Sequence, residues 1–140
     1  MKIARNFREY KVWQDAVAFA SEVYKVTAEM PWFEKKGLCD QLQRAVVSIS
    51  SNIAEGAARP SDADFAHFLD TALGSAYEVE TQLLIAKNVG YIDDNERRRT
   101  IDDRRRTKDD NGAMTFEKLL SDIQVIEKQL ANFISFIRKK

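Results

Sequence analysis

Apolar residues recur along this chain at steps of three and four, the spacing that places them on one face of an α-helix. Trp13, Ala16, Ala20, Val23 and Thr27 form the first stripe, broadened by Val17 and Tyr24. It predicts a helix over 10–29 that stops at Pro31, since proline lacks the amide a helix interior needs. Leu38, Leu42, Ala45, Ile49 and Ile53 predict a second helix over 37–58, ended by Pro60. A third, over 62–89, carries Phe65, Leu69, Ala72, Ala76, Val79, Leu83 and Ala86. Ser61 and Asp64 have capping-box spacing at its start, and Gly90 suits the left-handed position just past its end. The fourth, over 115–138, opens at Thr115 and presents Phe116, Leu119, Ile123, Ile126, Leu130, Phe133 and Ile137. Trp32 and Phe33, beside Pro31, are expected to cap one end of the molecule.

Nothing in the pattern reads as a strand. Short links between the first three helices favour antiparallel neighbours, so residues 1–140 are expected to form one all-α domain, an up-down-up-down four-helix bundle. The near-heptad spacing favours crossing angles of about 20°. Residues 93–111, DDNERRRTIDDRRRTKDDN, alternate acidic and arginine blocks and cannot bury a face. They read as a solvated loop rather than an RNA or DNA contact, because the interleaved acids repel phosphate.

The second and third helices carry more than one face without a Lys/Glu coat. Gln41, Arg44, Ser48, Asn52, Glu55 and Arg59 form a polar row opposite the Leu38–Ile53 stripe, and Thr71, Ser75, Glu78 and Gln82 form another. Gly56 and Gly74 interrupt helical stretches, where glycine costs about 1 kcal/mol relative to alanine, so both suggest close approach by another element. An ordinary solvent face is the plainer alternative. The scarcity of lysine and glutamate favours a subunit interface built from Arg44, Ser48, Asn52, Glu55, Gly74, Ser75 and Glu78, with Arg44 pairing to Glu55, Glu78 or Glu80 within or across subunits.

Composition narrows the chemistry. The 22 basic and 22 acidic residues cancel, so bulk charge gives no sign of nucleic-acid binding. One cysteine, Cys39, excludes an internal disulfide and a cysteine zinc site, and fits a cytoplasmic chain. No segment resembles a signal peptide or a membrane span. His67 is the sole histidine, so a bundle di-iron site with two Glu-x-x-His motifs cannot be assembled. No phosphate loop or nucleophile elbow is present. Glu55, Glu78 and Glu80 are better read as ion-pairing groups than as an acid–base pair. The expectation is therefore no catalytic residues, no metal and no cofactor. An enzyme with a site at a subunit seam is the weakest of three readings.

In such a bundle both termini and the second link share one end. That end gathers Lys2, Arg5, Arg8, Lys11, Arg59, Arg138, Lys139 and Lys140 against Glu9, Glu55, Asp62 and Asp64. Arg5, Arg8, Lys11, Arg59, Arg138, Lys139 and Lys140 are the candidate nucleic-acid contacts. Cations near the last helix C-terminus also complement its dipole.

Three stretches, FREYKVWQDAVAFASEVYKVT, GLCDQLQRAVVSISSNIAEGAAR and FAHFLDTALGSAYEVETQLLIAKNVGYI, resemble the bacterial four helix bundle protein family. Its members are encoded in intervening sequences of large-subunit ribosomal RNA genes, and a relative is the accessory protein of diversity-generating retroelements. The similarity runs from about Phe7 to Ile92 and is most specific at Ser51–Gly56 and Gly74–Leu83. It implies a protomer that assembles into a homopentameric ring with no established enzymatic activity. For the retroelement relative it implies binding of nucleic acid and of a reverse transcriptase through a strongly basic surface. This chain departs from the family in its neutral charge, in Gln43 where arginine is frequent, in Ser50 where proline is common, and in its charged loop. The expected function is a non-enzymatic oligomeric scaffold associated with structured RNA or DNA. The alternative is a protein–protein interaction module that binds no nucleic acid.

Overall fold

A computed structural model describes residues 5–93 and 115–139, and Lys2, Lys140 and residues 94–111 of the charged loop lie outside them. Among the described residues there are four α-helices and no strand: α1 (Lys11–Ala28), α2 (Leu38–Ala57), α3 (Asp62–Asn88) and α4 (Phe116–Arg138). Side-chain caps define two of the starts. Ser61 accepts from the Asp64 amide at 3.1 Å and Thr115 from the Lys118 amide at 3.3 Å, each satisfying an amide the helix cannot. Gly90, at φ 86°, ends α3, with the Tyr91 amide reaching back to the Ala86 carbonyl at 2.8 Å. That bond and the one from Gly90 to the Lys87 carbonyl make a Schellman closure.

The four helices share one apolar core. α2 packs on α3, α3 on α4, and α1 on both α2 and α4. At one end Arg5 bonds the Ala57 and Arg59 carbonyls and the Asp62 carboxylate. Its guanidinium also lies 4.7 Å from the centre of the Phe65 ring. Tyr10, Phe65 and Phe133 meet ring to ring beneath it. At the other end Cys39 sits buried against the Thr27 carbonyl and Met30 sulfur. Burial and the nearby Glu34 charge push its thiol pKa up, as suits a small core residue rather than a nucleophile.

The buried stripes on α2 and α3 follow the sequence closely, but that on α1 is rotated. Val12, Ala16, Phe19, Val23 and Thr27 are buried, Trp13 and Ala20 are half-buried, and Val17 and Tyr24 are exposed. Apolar residues occupy so much of α1 that spacing alone does not fix its phase. Phe19 turns inward in place of its neighbour Ala20, because burying the larger side chain removes more apolar area from water. On α4, Ile134 is buried and Phe133 is half-buried. Trp32 and Phe33 do not cap the end: they are 86% and 61% exposed, while Met30 and Ile92 close the core there.

Gly56 is where α2 and α3 come closest. A Cβ there would lie 2.6 Å from Phe68 Cβ and 2.9 Å from Phe65 Cδ1, inside van der Waals contact. Glu127 of α4 faces the Glu80 carboxyl of α3, and burial, followed by the neighbouring Glu80 carboxyl, raises its pKa from 4.5 to about 7. Its Oε2 is closed off from water without a hydrogen-bond partner. Two facing carboxyls need a proton between them, and only below neutrality is one present.

Two outcomes follow from this packing. Gly56→Ala should lower stability by about 1–3 kcal/mol, because the overlap outweighs the gain in helix propensity; urea unfolding measures it. For Glu127 the raised folded pKa means that stability is fully present below about pH 4.5 and is lost as pH rises through about 7. Glu127→Gln should therefore melt above the wild type at pH 8, and the difference should shrink toward pH 5. Thermal melts at the two pH values compare them.

Candidate functional site

The α2–α3 seam brings three of the seven expected interface residues together. Ser48 and Ser75 hydroxyls meet at 2.8 Å, and Asn52 Nδ2 donates to Ser48 Oγ at 2.9 Å and to the Ser48 carbonyl at 2.8 Å. Small side chains let the two backbones close until a pair of hydroxyls can touch, and each such bond contributes about 0.5–1.5 kcal/mol net. These three residues thus tie α2 to α3 inside the protomer. Gln82 continues the line, buried, with its amide nitrogen 3.4 Å from Glu78 Oε1 and its own Oε1 buried and unpartnered.

The other four stand on the outer surface. Arg44, Glu55, Gly74 and Glu78 are exposed. Arg44 pairs with Asp40 one turn earlier, at 3.0 Å, and not with Glu55, Glu78 or Glu80. The surroundings of Gly74 are the opposite of those of Gly56: a Cβ there would meet nothing within 4 Å. Tyr77 and Leu84 on the same helix are 54% and 46% exposed, so the outward side of α3 is small and apolar at several positions.

The expected nucleic-acid contacts divide as well. Arg5 is committed to the α2 carboxyl end and Asp62, and its side chain is only 17% exposed. Arg138 is held by both oxygens of Asp70. Lys11 pairs with Asp15 on the surface. Arg8 leans over Phe7 and Arg59 over Phe68; with Lys139 they are exposed and form no ion pair among the described residues. Lys140 lies outside the described residues. The end is basic in sequence, but three of its cations are matched by aspartates.

For catalysis the described residues offer little. No group of three or more His, Cys, Asp and Glu side chains among them could hold a metal ion. His67 is exposed on α3. No helix among the described residues is long and apolar enough to cross a membrane. Sequence reasoning passed over Glu127, whose signal lies in tertiary pairing with Glu80, and it read Trp32 and Phe33 only as an end cap, without joining them to Lys35 and Lys36 of the same turn.

No curated protein matches the chain. Among solved structures it resembles the crystal structure, at 1.70 Å, of a protein of unknown function from the S23 ribosomal protein family of Bacteroides thetaiotaomicron VPI-5482. The two are 25% identical with a TM-score of 0.67, over 89% of this chain and 95% of the other. The pattern of the 23S rRNA-intervening sequence proteins matches residues 8–109, a span that holds α1, α2, α3 and the tight seam, and the chain belongs to that family.

Proposed function

We propose that this chain is a non-enzymatic scaffold. Its protomers are up-down-up-down bundles that assemble into a homopentameric ring, and the ring associates with structured RNA or DNA. The observation that carries the reading is Gly74. A mid-helix glycine with open space around it costs helix stability and relieves no clash inside the protomer. Close approach by a second copy gives it a purpose, and the neighbouring exposed Tyr77 supplies apolar area for such a contact. The ring of five rests on the family resemblance rather than on this geometry.

Nucleic-acid association is supported by the exposed Arg8, Arg59 and Lys139 at one end of the bundle, whose field a ring would repeat around its axis. The matched Arg5 and Arg138 weaken that field and favour a moderate, salt-sensitive affinity. The second reading, an interaction module without nucleic acid, draws on the same exposed apolar positions and on the zero net charge.

Gly74→Arg should leave the folded protomer intact, since open space receives the side chain, and should shift the assembly to smaller species in sedimentation. An unchanged size distribution would remove α3 from the interface. For the nucleic-acid part, binding to structured RNA should be measurable at low salt and fall steeply as salt rises. The double variant Arg8→Glu with Arg59→Glu should weaken it at least tenfold. Absence of binding at low salt would leave the interaction module as the function.

A further inference from the structure

Between α1 and α2 the chain turns at Pro31 and passes through the single 3-10 turn Trp32–Glu34. The Trp32 ring stands 86% exposed, in edge contact with Phe33 at 6.2 Å between centroids. Tryptophan normally buries most of so large an apolar surface. Beside it an open cleft of about 850 Å³ runs between the two helices, within the size range of ligand sites, roughly 300–1,000 Å³. Tyr24, 45% exposed, stands on the α1 wall. Lys35 and Lys36 lie on the rim and form no ion pair among the described residues, and Arg44 on the α2 wall is held only by its surface pair with Asp40. The lining thus carries three cations against one carboxylate.

We propose that this cleft binds single-stranded nucleic acid, with Trp32 and Tyr24 stacking on unpaired bases and Lys35, Lys36 and Arg44 holding the flanking phosphates. Exposed aromatic faces beside a row of cations are how sequence-tolerant single-strand sites work: every base has a face to stack, and the backbone supplies the charge. A duplex keeps its bases stacked on one another and cannot offer them to Trp32. A second protein copy fits the cleft less well, because lysines are depleted from the cores of protein interfaces. The site rests on the nucleic-acid part of the proposed function, but it uses none of the residues at the basic end.

The test is a fluorescence titration at low salt with oligothymidylate and, in parallel, a blunt-ended RNA duplex. Trp13, half-buried against Phe7, should stay constant while Trp32 emission is quenched by the single strand. Trp32→Ala should weaken single-strand binding about tenfold or more and leave duplex binding unchanged. Lys35→Glu with Lys36→Glu should weaken it too and flatten its salt dependence. Binding of the single strand with no quenching and no effect of Trp32→Ala would overturn the cleft while leaving nucleic-acid association standing. Failure of both nucleic acids to bind would overturn both. A change in oligomeric mass in the Trp32→Ala protein, without loss of single-strand binding, would assign the cleft to a subunit contact instead.

Discussion

The close approach of α2 to α3 at Gly56 is the constraint on which the other features depend. With no side chain at that position, Phe65 and Phe68 press against the α2 backbone, and Phe65 is left almost wholly buried. Around Phe65 gather Tyr10, Phe133 and the Arg5 guanidinium, from three other parts of the chain. The same closeness, carried along the helices, lets Ser48 and Ser75 share a hydrogen bond that longer side chains would prevent. A methyl group at Gly56 would therefore disturb an aromatic cluster and a polar seam together.

This packing also explains why the basic end is less positive than its sequence suggests. Arg5 is largely withdrawn from solvent because the Ala57 carbonyl at the end of α2, unsatisfied within the helix, and the Arg59 carbonyl just beyond it accept its protons. Asp62 and Asp70, at the start and in the third turn of α3, draw in Arg5 and Arg138. These arginines join elements distant in sequence, and the exposed cations of this end without an ion pair among the described residues are Arg8, Arg59 and Lys139. Local pairing thus weakens the field of that end beyond what the zero net charge of the composition already implies. The less neutralised cations, Lys35 and Lys36, sit beside the exposed Trp32.

The helices were legible because proline, glycine and capping residues mark their ends and because α2 and α3 each carry one continuous apolar stripe. α1 was less legible: with valine, alanine and aromatic residues on most sides, its phase was decided by Phe19 packing on neighbouring helices. Gly56 and Gly74 looked alike in sequence, and only tertiary placement separates one pressed between helices from one facing open space. Ser48, Asn52 and Ser75 were readable as a related set, but their bonding inside the protomer was not. The solvent exposure of Trp32 ran against its hydrophobicity, since a turn fixed by Pro31 holds the ring away from a core that Met30 already closes. Glu127 gave no local signal, because its chemistry arises from a partner on another helix.

The proposed self-association rests on the outward side of α3, where Gly74 faces open space and Tyr77 and Leu84 are exposed. The most direct test is the native mass of the wild-type protein in solution, followed by light scattering across micromolar concentrations. A homopentameric ring gives one closed species at about five times the 16.1 kDa chain mass. A species at 16.1 kDa throughout that range would contradict it.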